Sequence, residues 1–421
     1  MTPDSDIIIT HPLLSEAKTH AIIRMLLCFM PLLGMGIDLI APSLPAISHS
    51  VHISPMIAKD LVAIFLVGGA IGTFLSGTLS DTWGRRRFIL SGFILLTLAS
   101  LLPLLWSYPF VLLLSRFLQG LAAGSFSVLL RSVAADLLTG PALLRTASWM
   151  ATMWGIGPII GPIIGGYLQV YFGWQANFLF FAAYGLAGII ACSIWLPETH
   201  HKRRALSLKR IKNNFATLLP HKIFVSLSVL MGCFYAVLII FNTLGPFSIE
   251  KNLGYSPIFF GQAAFCLGII FLCGTFCCRA LIKYFDPQKI LSVTVPIVLV
   301  FCLIDILVSY SIHNVWTVLV PTAFLFFSTG IVYPTCMGAT MSMFKELAGS
   351  AAAIATLINL AVTASSGFFS SLISNQSVTA IAFTSAAFVF VGFSLYSWAI
   401  RAAEPVQAIK EINRRKVRYS E

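Results

Sequence analysis

Apolar residues run along this chain in long blocks separated by short polar or basic turns, at roughly 21–46, 57–79, 88–106, 109–131, 147–169, 176–196, 222–246, 256–281, 290–309, 315–337, 347–373 and 378–401. Each block is apolar nearly all round and longer than a strand needs, so the pattern predicts helices rather than a barrel. A bilayer-crossing helix takes about 20 such residues. The chain therefore reads as an all-α integral membrane protein of twelve transmembrane helices. Composition agrees: 58% of the 421 residues are hydrophobic and 10% charged, which excludes an ordinary soluble domain with about 25% charged residues.

The formal charge of +12 would point to nucleic acid in a soluble chain. Here the basic residues fall in blocks between the apolar runs, at Arg85-Arg86-Arg87, Lys202-Arg203-Arg204, Lys209-Arg210-Lys212 and Arg414-Arg415-Lys416-Arg418, with no interleaved aromatics. Every Lys and Arg except Lys59, Lys251 and Arg116 falls on one side of the predicted topology. The positive-inside rule then puts both termini in the cytoplasm, with Lys59 and Lys251 in outer loops and Arg116 within a span. The nine cysteines are odd in number and lie in apolar runs, so they read as small buried residues rather than a disulfide framework or a metal site. Residues 1–20 lack a cleavable signal pattern, and the first apolar run is expected to stay.

The longest internal connection, 197–221, is basic and polar. It divides the chain into a cytoplasmic tail at 1–20, a six-helix bundle at 21–196, the linker, a second six-helix bundle at 222–401 and a basic tail at 402–421. Weak internal similarity supports two related halves. Asp38-Leu-Ile-Ala-Pro42 near the outer end of the first helix has a counterpart in Asn242-Thr-Leu-Gly-Pro246 of the seventh, and Gly77 with its basic turn has an echo at Gly274, Arg279 and Lys283. Two such repeats are the signature of a transporter with its substrate at the repeat interface.

Between the second and third helices stands Gly77-Thr-Leu-Ser-Asp81-Thr-Trp-Gly84-Arg85-Arg86-Arg87. Glycine permits close approach and a tight turn, the aspartate can pair with an arginine or a helix N-terminus, and the arginines suit the cytoplasmic face. The pattern resembles the signature loop of the major facilitator superfamily. Arg116-Phe-Leu-Gln119-Gly120 in the fourth helix resembles that family's conserved-arginine motif, and Gly157-Pro158-Ile-Ile-Gly161-Pro162-Ile-Ile-Gly165-Gly166 in the fifth resembles its antiporter motif. Physically, glycines four apart open a face for close helix packing, and the prolines bend the helix. The narrower resemblance is to drug:proton antiporters of the bicyclomycin/chloramphenicol-resistance type, carried by Asp38-x3-Pro42-x2-Pro45, Arg131 to Asp136, Trp174-Gln175 and Gly330-x2-Tyr333-Pro334. Where some such exporters carry a second acid in the first helix, this chain has Met30, a departure that bears on cationic drugs and two-proton coupling.

The resemblance implies the major facilitator fold of two pseudo-symmetric bundles, alternating access gated by the Gly77–Arg87 turn, a bacterial inner-membrane location, a monomer, and a proton gradient in place of any cofactor. Of the acids only Asp38 and Asp305 fall well within apolar runs. A buried charge in a membrane asks for a function, and Asp38 and Arg116 sit at similar depth, so we read them as the proton-coupling pair, with a permanent salt bridge as the other possibility. Asp305 lies about a turn from the end of its helix, where it either reaches interfacial water or has a role of its own. Tyr235, Asn242, Gln262, Tyr333 and Asn359, with Asp38, are the substrate-binding candidates: uncharged polar groups among many phenylalanines suit an amphipathic ligand. No buried histidine, nucleophile-base constellation or phosphate loop is visible, which argues against an enzyme. The expected function is proton-coupled export of amphipathic small molecules; the alternative is a dedicated carrier, exporting or importing one metabolite class such as a siderophore, peptide or amino acid.

Overall fold

The computed structural model describes residues 15–199, 208–312, 314–344, 347–373 and 378–418; within its helices the side chains of residues 33, 77–79, 81, 151, 208–211, 214, 348 and 403–418 are not described. Twelve helices among the described residues are long and apolar enough to cross a membrane: Glu16–Ser50, Pro55–Ser76, Arg85–Leu105, Pro109–Leu137, Gly140–Phe172, Gln175–Trp195, Lys222–Asn252, Pro257–Leu281, Pro287–Ser311, Trp316–Met343, Gly349–Leu372 and Val378–Ala402. They are numbered spans 1 to 12, and each matches one predicted apolar run.

Proline and capping residues set many of the boundaries. Ser54 accepts from the Ile57 amide ahead of Pro55 at the start of span 2, and Pro109 and Pro287 open spans 4 and 9, where a missing N–H costs nothing. A short helix, Leu208–Leu218, lies within the stretch read as a linker, and the helix of span 12 continues to Arg418 through the stretch read as a tail. Leu208–Leu218 has Leu208, Ile211, Phe215 and Leu218 at helical spacing among basic and polar residues, and the extension of span 12 is charged, so mean hydropathy alone shows neither.

Packing groups the chain into two compact units that do not follow chain order. One comprises Met1–Ser207, Ile239–Ile269 and Ala364–Ile381; the other comprises Leu208–Leu238, Ile270–Thr363 and Ala382–Glu421. In the first, spans 2 and 4 meet along small residues. Gly68 and Gly72 face the backbone of Phe117 and Leu121, while Gly120 and Gly124 face that of Phe65 and Gly69, leaving no room for a Cβ. Hydroxyls fasten the seam, Thr73 Oγ1 donating to the Gly124 carbonyl and Ser125 Oγ to that of Gly72, each at 3.2 Å. In the second unit, spans 8 and 10 repeat the device, with Gly274 against the Phe327 carbonyl and Gly330 against that of Phe271. The repeat inferred from weak sequence echoes thus has a packing counterpart.

One charged residue, Lys59, is placed otherwise than the sequence suggests, and a second, Asp305, lies within its span as expected. Lys59, read as an outer-loop residue, stands in the first turns of span 2 and is 1% exposed; its Nζ donates to the Ile373 carbonyl at 2.9 Å and lies 5.3 Å from the Phe247 ring. The carbonyl at the end of span 11 draws the ammonium inward. Asp305, for which interfacial water is one reading of the sequence, is 7% exposed and its Oδ1 has no protein partner.

Candidate functional site

Span 1 is a series of helical pieces: Glu16–Phe29, Leu32–Asp38, a 3₁₀ turn Ala41–Ser43 and Leu44–Ser50. Pro31, Pro42 and Pro45 supply no amide hydrogen, and Pro42 in particular leaves the Asp38 carbonyl without its helical donor. Span 7 behaves alike. Its α-helix Lys222–Pro246 gives way to a π turn, Phe247–Asn252, directly after Pro246, the residue that would have bonded to the Asn242 carbonyl. Asp38 and Asn242 therefore occupy equivalent positions, each one turn before a proline-induced break.

The two side chains meet. Asn242 Nδ2 donates to Asp38 Oδ1, both residues are buried, and Asn242 Oδ1 is left without a protein partner. Span 5 closes the other side of Asp38. Gly157 faces the Pro31 carbonyl, Gly165 faces the Leu39 carbonyl, and a Cβ on Gly161 would lie 3.3 Å from Asp38 Cβ. Gly166 does the same for span 8, facing the Pro257 carbonyl, and Gly261 returns the contact against Pro162. Pro158 packs on Gly34. The glycine and proline stripe is therefore the seat of the broken part of span 1. Asn177 of span 6 secures the same stretch, donating to Ser43 Oγ at 2.6 Å.

Arg116 is fully buried on span 4, with its donors committed to neutral acceptors. Nε donates to the Leu61 carbonyl at 3.1 Å, one terminal nitrogen to Gln119 Oε1 at 2.9 Å and the other to the Gly36 carbonyl at 2.7 Å. The guanidinium carbon lies 4.3 Å from the Phe65 ring centre, and Gln119 passes the chain on to Ser100 Oγ at 2.8 Å. Asp38 and Arg116 feel each other's charge but form no salt bridge. The tie between spans 1 and 4 runs through a backbone carbonyl two residues before the acid, so the permanent salt bridge is not what this state contains.

The Gly84 turn forms a second site. Gly84 adopts φ +96°, a conformation costly for a residue with a Cβ, and a Cβ there would also strike the Glu198 carboxylate. Glu198 Oε1 accepts from the Arg85 amide at 2.9 Å, Arg85 Nε reaches Asp136 Oδ2 at 3.3 Å and its fork also donates to Ser80 Oγ. Arg86 donates to the Ser193 carbonyl at 3.0 Å, Thr199 Oγ1 donates to Asp136 Oδ2 at 3.2 Å, and Arg87 is exposed. The side chains of Gly77 and Asp81 lie outside the described residues.

The substrate-binding candidates do not form one cluster. Asp38 and Asn242 pair in the first unit. Gln262, in the same unit, is exposed on the face of span 8 that also presents Cys266 and Ile269, because its opposite face is taken up by Gly261 and Gly268 against span 5. Tyr235, Tyr333 and Asn359 belong to the second unit, where the two tyrosine rings lie 5.5 Å apart and Asn359 is buried with Oδ1 unpartnered. Sequence reasoning does not assign Gln119, Phe65, Asp136, Glu198 or Lys59 to a site. Of these only Glu198 and Asp136, acids bordering a basic turn, leave a usable signal.

Helical spans in repeated packing, a buried acid at a break in span 1, a buried arginine on span 4 and a braced arginine turn together define a membrane-embedded secondary transporter. The chain belongs to the Major Facilitator Superfamily, whose family model matches residues 26–366. It is 25% identical over 347 residues to multidrug resistance protein D of Escherichia coli, covering 79% of this chain and 84% of that protein. It is 24% identical over 369 residues to the bicyclomycin resistance protein homolog of Haemophilus influenzae, covering 86% and 91%. Its fold matches that of a D-xylose-proton symporter with a TM-score of 0.71 at 15% identity, over 90% of this chain and 97% of the symporter.

Proposed function

We propose that the protein exports amphipathic small molecules in exchange for protons. The observation that carries this reading is Asp38: a carboxyl buried at a break in span 1, against the span 5 glycine stripe, with a neutral amide rather than a cation as its hydrogen-bond partner. Such a group can take up a proton when one face of the membrane reaches it and give it up to the other. Arg116 lies within electrostatic reach yet directs its donors elsewhere, so it biases the carboxyl without locking it. The resistance proteins among its relatives support drugs as the substrate class. In this reading the chain works in a bacterial inner membrane as a monomer, with both termini in the cytoplasm, no cofactor and no enzymatic step. The likeness to a symporter bears on fold alone. Met30, where a second acid would serve a two-proton exchanger, fits a single exchanged proton and keeps a dedicated carrier for one metabolite class as the second reading.

Inverted membrane vesicles energised to an acid interior test it. Wild type should release protons on addition of several chemically unlike apolar compounds, and Asp38→Asn should not. A response to one chemical class only would favour the dedicated carrier. Equal responses from wild type and Asp38→Asn would remove Asp38 from coupling.

A further inference from the structure

The glycine stripe of span 5 packs against Asp38 and Arg116 ties down the Gly36 carbonyl two residues before it, but neither explains why its one hydrogen bond comes from Asn242. Among the described residues no other group bonds to the Asp38 carboxylate, and Asn242 is likewise bound to nothing else through its side chain. Each stands one turn before a proline, so the α-helix gives way beyond each, to the 3₁₀ turn Ala41–Ser43 after Asp38 and to the π turn Phe247–Asn252 after Asn242. The segment beyond Asn242 is the part of span 7 that packs at this end of the first unit. Phe241 stacks on Phe260 with ring centres 5.2 Å apart, Gly245 also packs on Phe260, and Phe247 lies under Lys59. The Asn242 side chain thus sits directly before the change from α to π helix in span 7.

We propose that Asn242 is a positioning residue for Asp38, whose amide joins the protonation state of that carboxyl to the packing of span 7 beyond Pro246. The inference rests on the reading of Asp38 as the proton-exchanging group. With Asp38 ionised, the amide donates a charge-assisted hydrogen bond. When a proton adds to the carboxylate, the buried charge is gone, and the carboxyl O–H can donate to the orphaned Asn242 Oδ1 while the amide keeps donating to the other carboxyl oxygen, so one hydrogen bond becomes two. This packing therefore tightens as Asp38 takes up its proton and loosens when the proton leaves, because a buried carboxylate gains hydration as the segment opens.

Other titratable groups on the surrounding elements must be separated from this effect. Arg116 of span 4 is the charged group within reach of Asp38. Span 2 carries Lys59 and Asp60, span 7 carries Lys222, Glu250 and Lys251, the rest of span 1 carries Glu16, Lys18, His20, Arg24 and His49 with His52 in the turn after it, span 5 carries Arg145 and span 8 carries Arg279. Variants at positions 38 and 242 leave all of these in place.

The test needs no substrate. Hydrogen–deuterium exchange of purified protein in lipid nanodiscs is followed at pH 6 and pH 8 for peptides spanning residues 243–252, corrected for intrinsic exchange rates. Wild type should exchange faster at pH 8 by at least about fivefold, the low end of ordinary coupling strengths. Asn242→Ala and Asp38→Asn should each abolish the difference. The exchanged pair Asp38→Asn/Asn242→Asp, which keeps one carboxyl against one amide, should regain it, an outcome that a merely structural role does not produce. If Asn242→Ala keeps the full difference while Asp38→Asn loses it, the inference falls and the Asp38 reading stands. If Asp38→Asn keeps it, both fall. Should Asn242→Ala fail to fold, the exchanged pair decides: a folded pair without the pH difference overturns the proposal.

Discussion

A buried charge in an apolar chain is conspicuous because it is rare, and Asp38 and Arg116 stand out in the sequence on that ground alone. Their partners do not. Arg116 binds the carbonyls of Leu61 and Gly36, and every residue has a carbonyl; which ones are free depends on where a helix is broken and what lies beside it. Lys59 is misread from sequence for the same reason, since its acceptor is the Ile373 carbonyl, distant along the chain. Arg116 meets its three acceptors through three separate nitrogens of a planar fork, a spread that the single nitrogen of an ammonium does not reproduce. Arg116→Lys is therefore expected to lose at least one hydrogen bond to a charged donor, about 1.5–3 kcal/mol of stability, read as a lowered unfolding midpoint in detergent, with transport reduced even though the charge is kept.

At the level of the helix, hydropathy and proline placement locate all twelve spans, because twenty apolar residues in a row have few alternatives in a bilayer. What the glycines of span 5 are for is only half legible. Their four-residue spacing announces a smooth face, while the structure assigns that face to the broken stretch of span 1 and the start of span 8. The same helix provides its own control. A Cβ at Gly165 would overlap the Leu39 carbonyl, whereas a Cβ at Gly155 would meet nothing within 4 Å. Gly165→Ala should cost about 1–3 kcal/mol, as overpacking does, and depress proton-coupled transport. Gly155→Ala should leave both close to wild type. Thermal unfolding of the two purified variants side by side checks the contrast, and equal effects would mean that the stripe does not act through close approach.

For the molecule as a whole, the distribution of Lys and Arg predicts that both termini face the cytoplasm. Green fluorescent protein fused to either end should be fluorescent in bacterial cells, and alkaline phosphatase fused at the same points inactive; the opposite pattern would reverse the topology. The number of spans, their helical character, the loop signature and the presence of Asp38 and Arg116 within apolar spans are all readable from sequence, because each rests on local composition and spacing. The grouping into compact units is not. Parts of spans 7, 8 and 11 pack with spans 1 to 6 rather than with their chain neighbours, and only that packing brings Asn242 to Asp38 from 204 positions away. Hydropathy decides whether a segment enters the membrane; among segments equally at home there, the close approach of backbones at glycine and the search of a buried polar group for a partner decide which ones touch.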